Sequence, residues 1–509
     1  MNEDKTKKDQ KLSRRGFLKT SGGAALAGMA AGSLFSITPK AFGSGIPEKW
    51  DEQFDVVIVG SGFAGLAAAI EAKQAGASVL VLEKMRVPGG NSIINGGVFA
   101  VAGCQKQKDQ GIEDSPELML SDMLKAGLNL NHVNLAKMVA EKSRQAVEWT
   151  QSIGVEYKEK VVHLGGHSVP RSWSTHNSNG SAIVQKQLEK VKNLGIEVRL
   201  QSFLTSIIQD SDGKVAGVKI QEKYRFPDET TGTVKSIKAK KALVLAAGGF
   251  SADKYFRTLQ NPTLTDKVDT TNQPGATAEV LLEALRIGAT PVQISWIQLG
   301  PWTSPDEKGM GTGYVFNAMA GFVAGIMVDP DTGKRFINEL ADRKIRSDAI
   351  LKIGHPAVTI ADSKGIGGVH NLDRSLEKGV VKRFDSIDAL AAEYNIPAQK
   401  LKKTIETWNT YVKNGKDQDF DRYMQKDQKP IETGPFYSCR CWPKVHHTMG
   451  GLQINENAQV IGLNRKPIAG LYAAGEVAGG VHGAVRLGSC AVTDCIVFGR
   501  IAGQNAAKA

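Results

Sequence analysis

Six residues, Gly60-Ser61-Gly62-Phe63-Ala64-Gly65, stand between a short β-branched run over 54–59 and a helical stretch over 66–75. A second apolar run, Ser78-Val79-Leu80-Val81-Leu82, follows and ends in Glu83. Glycines at these spacings, set between a strand and a helix, carry the chemistry of dinucleotide binding. Gly60 permits the tight turn, Gly62 lets backbone approach a pyrophosphate, and Gly65 lets helix and strand pack closely. The free N–H groups of the helix end then face the phosphates. Glu83, 23 residues after Gly60, stands where an acid accepts ribose hydroxyls. Ala64 and Lys84, inside and beside these motifs, belong to the same expected contact set. The elements that must position these groups form a parallel βαβ unit, so the expected fold class is α/β.

Two further segments choose between dinucleotides. Residues 242–250, Ala-Leu-Val-Leu-Ala-Ala-Gly-Gly-Phe, read as a strand entering a glycine turn, with Ala247 and Gly248 at the turn. Residues 470–476, Gly-Leu-Tyr-Ala-Ala-Gly-Glu, repeat the pattern near the C-terminus. Both resemble the additional FAD contacts of glutathione-reductase-type flavoproteins, with Glu476 where an acid holds the ribityl chain. A nicotinamide dehydrogenase has no need of the second segment.

The chain resembles the flavoprotein subunits of the fumarate reductase and succinate dehydrogenase family, especially the soluble periplasmic fumarate reductases, from about residue 53 to 509. Four motifs carry the resemblance: Gly89-Gly90-Asn91-Ser92 with Gly96-Gly97; Gly333-Lys334-Arg335-Phe336-Ile337-Asn338-Glu339; His446-His447-Thr448-Met449-Gly450-Gly451; and Gly480 to Gly488, which includes Arg486 and Leu487. The resemblance implies a Rossmann-like FAD-binding domain split into 50–294 and 447–509, with an α+β capping domain inserted at 295–446. It adds Gly90, Asn91, Ser92, Gly96, Gly97 and Leu487 to the expected FAD contacts. Membrane-bound members bond FAD covalently through a histidine. Gly90 stands there by alignment, so non-covalent FAD is expected.

The same resemblance implies the reacting groups. His446 and Arg486 match the pair that binds one substrate carboxylate, and Arg343 matches the arginine that donates a proton. Such an arginine needs desolvation, because its pKa in water exceeds about 12. Departures from the family pattern are as informative. Gly300, in Trp296-Ile297-Gln298-Leu299-Gly300-Pro301-Trp302, replaces a histidine that holds the second carboxylate. Asn317, Ala318 and Gly321 replace a Thr-Glu pair and an arginine that complete that site and its proton relay. One carboxylate clamp is retained and the other lost. A charge-assisted hydrogen bond to a bound anion contributes about 1.5–3 kcal/mol, so fumarate is disfavoured. Trp302, Met310, Tyr314, Phe316, Met319 and Phe322 are expected to line the vacated end. Gly300, Trp302 and Asn317 therefore join the expected substrate contacts. The expected substrate is a monocarboxylate enoate: acrylate, methacrylate or an aryl acrylate. Competing readings are a fumarate reductase, a urocanate reductase, a ketosteroid dehydrogenase and a non-catalytic electron carrier.

Bulk properties agree. With 509 residues, 41% hydrophobic and 23% charged, the chain suits a soluble protein of more than one domain. The net charge is +12, without the clustered Lys/Arg and reading motif of a nucleic-acid binder. Five cysteines show neither zinc spacing nor a C-x-x-C-H haem site, so electrons are expected from a separate c-type cytochrome. Ser13-Arg14-Arg15-Gly16-Phe17-Leu18-Lys19 precedes a stretch of 16 small and apolar residues, Gly22 to Ile37. The pattern is that of a twin-arginine export signal over 1–43, too short to span a bilayer, which takes about 20 residues. A periplasmic mature protein is expected.

Overall fold

A computed structural model describes residues 45–425 and 427–509. The expected export signal at 1–43 lies outside the described residues.

Glu52–Val59 forms the central strand of an eight-stranded sheet. Its Val56, Val57 and Ile58 are fully buried, as expected of a parallel strand covered on both faces. Val79–Leu82 lies beside it in parallel, with Ile58 opposite Val81. Thr233–Leu245 flanks the other side, with Ile58 opposite Val244. Beyond these run Glu197–Arg199 and Pro467–Ala473, both parallel. The 470–476 segment thus returns from the far end of the chain to the sheet built by residue 60. The helix Phe63–Gln74 covers one face and is buried along most of its length. The C-terminal helix Cys490–Ala506 packs on it: a Cβ on Gly499 or Gly503 would come within 2.5 Å of Ala64 or Ala68 backbone. These two glycines let the helices approach more closely than side chains allow.

A second, five-stranded antiparallel sheet is built from 326–441, in the order Lys334–Arg335, Ile326–Asp329, Ala357–Asp362, Phe436–Cys441 and Val381–Phe384. Its core is distinct and includes Val328, Ile360, Leu401 and Trp408. Arg335 is buried in an ion-pair cluster with Glu339 (2.7 Å) and Asp417 (2.8 Å), and Arg422 joins through Glu339 at 3.2 Å. Its guanidinium lies between the rings of Trp408 and Phe420. This cluster anchors the turn that delivers Arg343, the first residue of the helix Arg343–Ile353. Asp342 caps that helix by accepting from the Ile345 N–H at 3.0 Å. A short ladder, Ile297–Gly300 against Lys444–Thr448, sets Gln298 opposite His447 and Gly300 opposite Lys444.

Candidate active site

The first glycine motif opens one end of a cleft. Gly60 has φ +106°, and a Cβ there would lie 2.3 Å from the Ala246 carbonyl. A Cβ on Gly65 would lie 2.0 Å from the Gly60 carbonyl. Only glycine fits at either position. Gly62 is the N-cap of the helix and has no side chain to cap it, leaving helix-end N–H groups open to an anion. Ser92 Oγ accepts one of them, from Phe63, at 3.0 Å. Ala64, Gly90, Asn91, Ala247 and Gly248 also line the cleft.

Two acids mark positions along it. Glu83 is buried and accepts from Ser61 Oγ (2.5 Å), Ser61 N (3.1 Å) and Met85 N (2.9 Å). Glu476 accepts from Thr448 N at 2.9 Å and stands 3.4 Å from His447 Nδ1. Burial pushes the Glu476 carboxyl up, but His447, the Thr448 N–H and Arg486 together hold it below its ordinary value. Lys84 lines the cleft too, its ammonium held by Thr277 Oγ1 (2.5 Å) and Glu279 (3.3 Å). A glycine-lined turn, an uncapped helix end and two acids in the lining fit a flavin dinucleotide. Gly96, Gly97 and Leu487 are not among the residues lining this cleft. Gly97 answers a packing demand, since a Cβ there would meet Thr175 Oγ1 at 2.3 Å. Leu487 is buried against Gly166.

Next to Glu476 the structure brings Arg343, His446 and Arg486 together. Arg343 Nη1 donates to Gln298 Oε1 and to the Arg486 carbonyl, both at 3.2 Å. Gln298 Nε2 donates to the same carbonyl at 2.9 Å. Arg486 is buried, and its Nε has no hydrogen-bond partner. Among the described residues no carboxylate forms an ion pair with either arginine. His446 Nδ1 meets Thr271 Oγ1 at 2.7 Å. Burial first, then Arg486 and Arg346, press the Arg343 pKa well below its ordinary value. Burial brings Arg486 down to about 10. Burial and the neighbouring arginines hold His446 well below the usual histidine range, so its imidazole is neutral at pH 7. Glu476 acts on Arg486 through space but makes no ion pair with it, so the two guanidinium groups leave positive charge to receive an anion.

Gly300 and Trp302 border this group. Trp302 is edge-on to His446, with centroids 5.0 Å apart, and Arg343 lies 4.7 Å over its face. Asn317 does not join them. Its side chain is fully buried, donating to the Trp302 carbonyl at 2.9 Å and accepting from Thr359 Oγ1 at 2.5 Å. The expectation of a substrate contact at Asn317 is corrected: every polar atom of that amide is engaged inside the second core. Phe316 is corrected likewise, being 0% exposed in an apolar cluster with Val315 and Tyr437, whereas Phe322, 1% exposed, packs in one cluster with Trp302. The Gly321 position cannot host the relay arginine, because a Cβ there would lie 2.6 Å from Thr359 Cβ.

Thr271 and Gln298 were not singled out by the sequence. Gln298 is one polar residue in an apolar strand, which was the available signal. Thr271 lies in a polar segment whose neighbours join the two parts of the site. Asn272 Nδ2 donates to the His446 carbonyl at 2.9 Å, and Gln273 Nε2 to the Gly90 carbonyl at 2.5 Å.

The sequence family described as FAD binding domain matches residues 55–492. An acrylate reductase flavoprotein subunit of Shewanella woodyi is 43% identical, over 97% of this chain and 98% of its own length. A urocanate reductase of Eggerthella lenta is 37% identical, over 91% of this chain and 76% of its own. The solved open conformation of a flavocytochrome c3 fumarate reductase superposes with a TM-score of 0.72 at 35% identity, over 90% of this chain and 79% of that one. A likeness that spans nearly all of the sequence and the fold places this chain in the FAD-binding family, among the fumarate-reductase-type flavoprotein oxidoreductases.

Proposed function

We propose that this chain reduces the C=C bond of a small α,β-unsaturated monocarboxylate, with acrylate and methacrylate as the leading candidates. One observation carries the reading: Arg486, buried, and Arg343, half-buried, form no ion pair among the described residues and stand beside a neutral histidine next to the flavin cleft, where together they would clamp one anion. The glycine turn at Gly60–Gly65, Glu83 and Glu476 would hold FAD, which in its reduced form would supply the hydride for the β-carbon. Arg486 and His446 hold the carboxylate and draw electron density toward it, which makes the β-carbon electrophilic. Thr271 Oγ1, 2.7 Å from Nδ1, orients the His446 ring, and the tautomer that donates to the carboxylate is the one with its hydrogen on Nε2. Arg343 gives a proton to the α-carbon; its lowered pKa eases that transfer. Hydride and proton together convert the alkene to the saturated acid. The acrylate reductase likeness at 43% identity supports this substrate class.

The flavin is read as non-covalent, since Gly90 offers no nucleophile where membrane-bound relatives carry a histidine. Residues 50–294 and 447–509 are read as the FAD-binding domain and 295–446 as its cap. The protein is read as periplasmic, exported by the twin-arginine signal, and supplied with electrons by a separate c-type cytochrome. No described helix is long and apolar enough to cross a membrane. The test is anaerobic oxidation of reduced viologen by the FAD-loaded protein with acrylate, methacrylate, cinnamate, urocanate and fumarate. Acrylate or methacrylate should give the highest kcat/KM. Fumarate as the best substrate would overturn the monocarboxylate reading.

A further inference from the structure

Position 300 and residue 302 compete for one space. A Cβ grown on Gly300 would already lie 3.4 Å from both Trp302 Cζ2 and His446 Cβ. A β-carbon there is in ordinary contact with both rings, and a longer polar group would grow along the indole and His446. The indole is held where it is. Three successive backbone carbonyls, of Pro301, Trp302 and Thr303, accept from Cys441 Sγ (2.6 Å), Asn317 Nδ2 (2.9 Å) and Trp442 N (2.8 Å). The ring itself packs in a cluster with Phe322, Met327 and Ile350.

We propose that Trp302 is the selectivity-determining residue of the site and also the positioning residue for Arg343. This rests on the enoate reductase reading above. The ring takes the space that a hydrogen-bonding partner for a second carboxylate would need. Its face is negatively polarised, which repels an anion and attracts the Arg343 guanidinium. A neutral vinyl, methyl or flat aryl end gains contact there, whereas a carboxylate loses hydration without recovering a hydrogen bond. The wall that rejects dicarboxylates is therefore the wall that aims the acid.

The experiment uses the FAD-loaded protein, reduced viologen, and three substrates: acrylate, fumarate and monomethyl fumarate, whose distal end is neutral. Wild type should favour the monoester over fumarate by at least about tenfold in kcat/KM. Trp302→Ala, which admits water at the distal end, should narrow that ratio to within about threefold, mainly through the KM for fumarate. Trp302→Leu keeps an apolar filler but no π face. It should retain the ratio and lose about tenfold in kcat on all three substrates. An unchanged ratio in a Trp302→Ala protein of normal flavin content overturns the selectivity role. Should that variant not fold, a Trp302→Leu protein with wild-type kcat overturns the positioning role. Wild type preferring fumarate to its monoester instead removes the monocarboxylate reading, and the two failures are thereby told apart.

Discussion

Replacing Gln298 with leucine tests whether Arg343 is aimed by its surroundings. Gln298 is 3% exposed and joins the two arginine segments, accepting from Arg343 Nη1 at 3.2 Å and donating to the Arg486 carbonyl at 2.9 Å. Leucine fills similar volume in the apolar strand Ile297–Gly300. The Arg486 carbonyl keeps the Arg343 donor, so the variant leaves it satisfied. The guanidinium loses one of two side-chain or backbone acceptors. A hydrogen bond to a charged group contributes about 1.5–3 kcal/mol, so full expression in the transition state lowers kcat roughly 10- to 150-fold. The KM should move by less than about threefold, because the carboxylate clamp is elsewhere. Steady-state viologen oxidation with acrylate, together with flavin content and a thermal melt, gives each quantity. A kcat within twofold of wild type, or a KM effect alone, would refute the positioning argument.

Arg343→Ala should retain FAD and bind propionate, yet lose roughly a hundred- to ten-thousand-fold in turnover; surviving turnover removes it from the acid role. Arg486 predicts a pH effect of definite sign. Its folded pKa of about 10 lies below the unfolded value, so below pH 10 both states hold the proton. Above that, the unfolded state binds more protons and unliganded stability gains with pH. Carboxylate binding requires the charged form. The rise in melting temperature given by propionate should therefore shrink as pH passes 10, and a constant rise would exclude Arg486 from the clamp. Gly65→Ala, whose Cβ would meet the Gly60 carbonyl at 2.0 Å, should purify without visible flavin absorbance; a fully yellow protein contradicts the tight packing. Arg335→Met strips Asp417 of its partner and leaves Glu339 only Arg422. It should destabilise the fold by about 3–5 kcal/mol in denaturant titration.

The dinucleotide half of the site was legible because its demands are local. Gly60 and Gly65 answer to backbone atoms only a few ångströms away, and the flanking strands carry the β-branched runs that buried parallel strands need. Helix and strand positions followed, to within a few residues, for Glu52–Val59, Phe63–Gln74 and Val79–Leu82. Arg343, His446 and Arg486 were legible through motifs. Their mutual geometry was not, since it depends on pairing segments separated by 45 to 188 residues. Apolar pattern says that Phe316 and Phe322 are buried, but not against which partner. A π-helical turn over Phe316–Ala324 sets Phe316 in a cluster with Val315 and Tyr437, Phe322 in one with Trp302, and Asn317 against Thr359. Position 300 was read as an empty place, and the structure sets Trp302 and His446 within contact distance of it.

The walls of the cofactor cleft come from opposite ends of the translation order. Residues 60–92 supply one side, whereas Gly475, Glu476 and Cys495 supply another. A nascent chain therefore emerges with its phosphate-binding turn long before the last wall exists. Flavin capture becomes a late event in biogenesis, dependent on a strand and helix made at the end, and a ribosome that stalls in the final stretch releases a product unable to close on its cofactor.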